Sequence, residues 1–170
     1  MAKISFRNLG EYELRLSHLS ERTSKIAGKA IYAGAKIITD QIRANIEAMP
    51  AVSDFEGLVA YKKKEPAPLT ESAKKGLLEG LGVTKMQDDN GYYNVKIGFD
   101  GPEGKHGYNG LKTQKYPKGQ PNVLIARSLE SGSSIAEKRP FIRPAINATR
   151  KQAEAKMAEV IDNEIKKIMD

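Results

Sequence analysis

Apolar residues recur every three or four positions over the first third of the chain. Leu16, Leu19, Ile26, Ala30, Ala33 and Ile37, with Thr23 among them, form a near-heptad stripe. That spacing predicts an amphipathic helix from about Glu11 to Ala48. Before it, Lys3 to Arg7 alternates polar and apolar residues, which predicts a short strand with Ile4 and Phe6 on one face, broken by Asn8 and Gly10. The middle of the helix is rich in small residues, Ala27, Gly28, Ala30, Ala33, Gly34 and Ala35, and a second backbone can come close there. Met49-Pro50 stops the helix, because proline disfavours helical geometry in the residue before it.

Pro50, Pro66 and Pro68 make residues 50–70 loop-like, with Gly57 to Lys62 as a candidate strand. Thr70 or Ser72 then caps a short helix that runs to about Leu78. Gly82 to Gln87 and Tyr92 to Phe99 flank Asp88-Asp89-Asn90-Gly91, a hairpin signal, since Asn-Gly accepts the positive dihedrals of a tight turn. Tyr93, Val95, Ile97 and Phe99 share one face of the second strand, and Tyr92, Asn94 and Lys96 the other. Residues 100–121 are irregular and rich in Gly, Pro and Lys, and read as a projecting arm at about 101–121. Asn122 to Ser131 reads as a short helix that starts after Pro121 and ends at Gly132, followed by an exposed turn or short strand over Ser133 to Arg139. Arg139 and Arg143 each precede a proline and are expected to be extended. A last helix runs from Pro144 to about Met169, with Ile146, Ala153, Met157, Ile161, Ile165 and Ile168 as its apolar stripe.

Together these elements predict an α+β fold: a small antiparallel sheet, two long helices at the two ends of the chain, a short helix and a long Gly/Lys-rich loop. With 170 residues, a single domain over 1–170 has enough chain for its own core. The net charge of +7 is unevenly placed. Residues 101–143 hold eight basic and three acidic groups, and Lys62, Lys63 and Lys64 are consecutive. With Lys105, Lys112, Lys115 and Lys118, these lysines are the candidate interface or DNA-facing residues, and the alternative reading is a solvated surface. Tyr and Lys interleave over 105–118, as in single-strand binders, but the Gly and Pro spacing favours the arm. No apolar run is long enough to cross a membrane, and Met-Ala-Lys-Ile-Ser at the start has no apolar stretch of the signal-peptide kind, so a soluble protein made inside the cell is expected.

Catalytic patterns are sparse. Cysteine is absent, which excludes disulfides, thiolate metal sites and a cysteine nucleophile. His18 and His106 have no neighbours at metal-ligand spacing. Gly98 to Lys105 has five residues between Gly98 and Gly104 where a phosphate-binding loop needs four, and His106 stands where Ser or Thr should hold magnesium. Asp100-Gly101-Pro102-Glu103 lacks the alternating oxygen ligands of a calcium loop, and no Gly-x-Ser-x-Gly elbow occurs. No catalytic residue, metal or cofactor is assigned.

The final third carries a more specific pattern. Glu130-Ser131-Gly132-Ser133-Ser134, a spacer, and then Arg139-Pro140-Phe141-Ile142-Arg143-Pro144-Ala145 opening a helix resembles the tail-completion, or head–tail joining, family of long-tailed siphovirus bacteriophages and prophages. Gly76-Leu77-Leu78 through Leu81-Gly82-Val83, and Val95 to Gly101, are similar to the same group, as is the opening strand followed by a long helix. The resemblance implies a single tail-completion-like domain and a non-enzymatic structural protein of the virion neck, made in the host bacterial cytoplasm. It implies a ring, six-fold in this family, around the DNA channel. The implied partners are further copies of the chain, the connector or stopper, and the tail terminator or tail tube, with double-stranded DNA passing non-specifically and no membrane. Glu130, Gly132, Arg139, Pro140, Phe141, Arg143 and Pro144 are read mainly as fold-determining: the prolines set the angle of the last helix, Phe141 fills the core and Gly132 ends a helix. The functional alternative pairs Arg139 and Arg143 with acids of a neighbouring subunit, Glu130 among them. The rival to the neck reading is a small basic DNA-binding protein, with an enzyme third.

Overall fold

A computed structural model describes residues 9–100, 108–109, 112–134 and 136–169. The expected strand over 3–7, Lys105 and His106 lie outside the described residues. The fold is α+β. In chain order the elements are α1 (Leu9–Ala48), α2 (Asp54–Lys62), α3 (Glu71–Gly80), β1 (Gly82–Val83), β2 (Gln87–Asp89), β3 (Tyr92–Asn94), β4 (Ile97–Gly98), β5 (Tyr108–Asn109), β6 (Gln120–Pro121), α4 (Asn122–Ser131) and α5 (Ile142–Met169).

The two long helices pack antiparallel. Asn45 Nδ2 donates to the Phe141 carbonyl at 2.9 Å near one end, Gly34 lies against Met157 and Ala153 in the middle, and Lys29 pairs with Glu164 towards the other end. The small-residue stretch of α1 therefore serves packing within the chain: a Cβ on Gly34 would stand 2.7 Å from Met157 Sδ. The buried face of α5 is Ala145, Thr149 and Ala153, small residues at four-residue intervals that bring the two axes close. Ile146, expected on the stripe, is one position off that face and exposed, while Met157, Ile161, Ile165 and Ile168 are half-buried. Buried Thr39 and Thr149 return their hydroxyls to the carbonyls of Ala35 and Ala145, so burial leaves no polar atom unmet there.

The apolar stripe of α1 also differs from the expected one. Burial starts at Ile26 and Ala30 and then moves to Ala35, Ile42 and Ile46, while Leu16 and Thr23 are exposed. A set spaced at 3.5 residues drifts about 20° per heptad around a helix of 3.6 residues per turn. The lower half of α1 also meets a second partner. Ile42 and Ile46 join Leu69, Leu77, Leu81, Phe99, Ile125, Leu129, Phe141 and Ala145 in the main core. The far half outreaches α5, whose last turn lies level with Arg22 and Lys25.

Residues 54–62 form α2 and not a strand. Ser53 and Glu56 make a reciprocal capping box, which nucleates a helix that β-propensity alone would not suggest. Thr70, rather than Ser72, caps α3 by accepting from the Ala73 amide, and Ser72 instead donates to Asp54 at 2.8 Å. The predicted hairpin is present, with Asn90 and Gly91 both at positive φ. The sheet is split into three antiparallel pairs, β1–β4, β2–β3 and β5–β6. Between the first two pairs the register slips by one residue: Thr84, Lys85 and Met86 oppose Val95 and Lys96, a bulge. Tyr32 of α1 fills it, its hydroxyl accepting the Met86 N–H at 2.8 Å and donating to the Thr84 carbonyl at 3.3 Å.

Where α3 hands over to the sheet, the packing leaves no room for a methyl group. A Cβ on Gly80 would lie 2.5 Å from the Phe99 carbonyl oxygen and 2.7 Å from Asn122 Nδ2, whose buried amide is fixed by a 2.9 Å bond to the Gly76 carbonyl. Gly80→Ala is therefore expected to cost about 2–3 kcal/mol. Urea denaturation should show a lower midpoint with an unchanged slope. An unchanged midpoint would mean that α3 and Phe99 are not so closely apposed.

Candidate functional site: the joint at the start of the last helix

α4 ends at Ser131, where Gly132 takes φ 78°, a backbone region that a side chain strains, and its N–H returns to the Ser128 carbonyl at 2.8 Å. The turn reverses the chain so that Arg139 N donates to the Leu129 carbonyl at 2.7 Å. Glu130 thereby faces the first turn of α5. Its Oε2 accepts the N–H groups of Phe141 and Ile142, both at 2.8 Å, and its Oε1 accepts that of Arg143 at 3.0 Å. These donors have no partner within a helix, so a carboxylate eleven to thirteen residues earlier does the work of a local cap. Burial pushes the Glu130 carboxyl up. The three backbone bonds, helped by the Arg143 charge, outweigh that and hold it below the usual carboxylate range.

The remaining motif residues sit around this joint. Phe141 is 1% exposed and meets Phe99 edge to face, with ring centroids 5.8 Å apart. Arg139 donates to the Pro50 carbonyl at 3.1 Å and pairs with Glu137 at 2.6 Å. Pro140 is exposed, and Pro144 lies exposed in the first turn of α5. Arg143, expected to be extended before Pro144, is helical: the Glu130 bond to its amide offsets the clash with the proline ring. Both oxygens of Glu130 are engaged within the chain, so pairing with a neighbour's arginine would compete with three backbone bonds. Nothing in the sequence pattern marks Glu130 as the cap of a distant helix, because the contact depends on the intervening turn.

The candidate lysines that are described lie on two segments of the chain. Lys62, Lys63 and Lys64 are exposed at the end of α2, where Lys64 takes φ 60°. Lys112, Lys115 and Lys118 are exposed on another segment, with the Lys115 ammonium 5.5 Å from the centre of the Tyr116 ring. That segment lies beside a cleft of about 380 Å³, bordered by Tyr61, Leu69, Tyr116, Leu124 and Ser128. The cleft lining holds hydroxyls and one ammonium, but no carboxylate or imidazole among the described residues. Among the described residues no three His, Asp or Glu side chains gather to hold a metal ion, and no helix is long and apolar enough to cross a membrane. The chain matches no protein-family model, no curated protein and no solved structure.

Proposed function

We propose that the protein is a non-enzymatic structural component of a tailed-phage neck, which completes or joins the tail at the head–tail connector as a ring around the DNA channel. The observation that carries this reading is the joint. The residues that resemble the tail-completion pattern meet at one place, where Glu130 holds the amides of Phe141, Ile142 and Arg143 and Phe141 enters the core. That is the behaviour of a motif that defines a scaffold. A closed ring needs two different patches per subunit, and the exposed faces of α1 and α5 supply such surfaces. Its partners are then copies of itself, the connector or stopper, and the tail terminator or tube, and its place is the virion. Cryo-electron microscopy of the neck of the intact particle tests the proposal. The expected result is density for this chain in a ring between portal and tail. Joined, infectious particles made without the chain would overturn it. The reading as a DNA-binding protein is favoured by the charge excess, and depends on where that charge lies on the fold.

A further inference from the structure

α1 carries a second stripe, on a different face from the apolar one. Arg15, His18, Arg22, Lys25, Lys29, Tyr32 and Lys36 follow at alternating intervals of three and four residues. Such spacing keeps side chains within an arc of about 100°, in a row about 30 Å long at 1.5 Å per residue. His18, Arg22, Lys25, Lys29 and Lys36 are exposed, and Arg15 is half-buried. The row is backed by the fold. At Lys29 it meets α5, which adds Lys167 and the carboxylate of Glu164, bonded by both ammonium groups. At Tyr32 it is pinned to the bulge. Bonds from Lys167 and Lys29 hold the Glu164 carboxyl at about 2, so its charge is fixed near neutral pH. Asp40 pairs with Lys36, and Glu21 borders the row, so among the described side chains the five cations Arg22, Lys25, Lys29, Lys36 and Lys167 face three carboxylates, with Arg15, itself partnered, at the end of the row.

We propose that this face of α1 is a binding surface for the phosphate backbone of double-stranded DNA, held without reading its sequence. The inference deepens the DNA-contact part of the function proposed above and rests on that part alone, not on the ring. Duplex DNA carries about one charge per 1.7 Å, and neutralising its phosphates releases counterions. A rigid row of about 30 Å covers most of a helical turn of about 34 Å. From Arg15 to Lys36 the row itself has no aliphatic member, although Leu14 and Leu16 are exposed beside its first residue, and it has no Asn or Gln to read adenine edges. The other lysine clusters offer less. Lys62 to Lys64 are consecutive at the end of α2 and do not repeat at helical spacing, and Lys115 lies over its own neighbour's ring.

The test is fluorescence anisotropy of the full chain with a labelled duplex of about 30 bp, from about 50 to 300 mM salt. The wild type is expected to bind with affinity falling linearly in log salt. R22Q/K25Q/K36Q should lose at least about tenfold at the lowest salt, with a slope shallower by about 2.7, or 0.9 per lost phosphate contact. Glu164→Gln removes the carboxylate from the row and should bind a few-fold tighter, a gain that misfolding cannot mimic. K62Q/K63Q/K64Q and K112Q/K115Q/K118Q should each lose less than the α1 triple variant. The proposal is overturned if the α1 triple variant binds like wild type, if Glu164→Gln does not tighten binding, or if either other triple variant loses as much. In those cases wild-type binding still stands and DNA contact survives at another surface. No wild-type binding at the lowest salt, or capture by phosphatidylserine vesicles in its place, overturns both the surface and the DNA contact. The position of the chain in the particle tests the ring separately.

Discussion

Replacing Glu130 by alanine is expected to lower the unfolding free energy by about 3 kcal/mol, since hydrogen bonds to a charged group contribute about 1.5–3 kcal/mol each and part of the loss is recovered by water. The three amides it holds begin α5, so the loss falls on the contact between that helix and α1 as well as on the local turn. Glu130→Gln keeps one acceptor oxygen and should lose about half as much. The pH dependence has a definite sign. The folded carboxyl lies below its unfolded value of about 4.3, so the native state binds its proton less readily. The wild-type advantage over Glu130→Gln is then full above that unfolded value and disappears as pH falls through the folded one. Urea midpoints for the two proteins should stay a constant distance apart from about pH 7 to pH 5.5 and converge below about pH 4. A gap that widened in acid would contradict the cap. Under the proposed neck role, the same substitution is expected to reduce joined particles by lowering the amount of folded subunit, and under the proposed DNA contact it is expected to leave the sign of binding through α1 unchanged.

Phe141→Ala is expected to be still more damaging, by about 4 kcal/mol. The ring is among the most buried large side chains and meets Phe99 at 5.8 Å in an edge-to-face contact. It stands where α1, α4, α5 and the β-region come together, so neighbouring elements cannot all collapse into the space it leaves. Phe141→Leu keeps most of the volume and should cost less than about 1.5 kcal/mol beyond the lost ring contact. Thermal or urea unfolding of both variants measures the difference. Equal stability of the alanine variant and wild type would mean that the joint is not part of the cooperative core. The contrast between the two residues is informative: Glu130 acts through directional bonds that acid removes, and Phe141 through area and shape that acid leaves alone.

The joint was legible in part. The order of residues from Glu130 to Pro144 marked a helix end, a turn and a new helix, and it drew attention to Phe141 as a core residue. The role of Glu130 was not legible, because its partners are backbone amides brought within reach by the turn through Gly132. Gly57 to Lys62 is helix and not the expected strand for the opposite reason: the deciding signal is local, the Ser53 and Glu56 pair, and it sits among prolines that make the segment look like loop. The basic row on α1 is written in the sequence at helical spacing, but counting charge along the chain hides it, since the excess of residues 101–143 is larger.

Local pattern by itself determined the two long helices, the helix ended by Gly132, the hairpin turn at Asn90-Gly91 and the α+β class, because periodicity, caps and turn dihedrals act between residues a few positions apart. Tertiary structure decided the rest. The pairing of α1 with α5 selected Ala145 over Ile146 for the buried face, since only small residues let two backbones approach. The bulge that splits the sheet is held by Tyr32 from a helix some fifty residues away, and the cap of α5 comes from a different helix. Each of these depends on the distance between groups remote in the chain, and folding alone sets that distance.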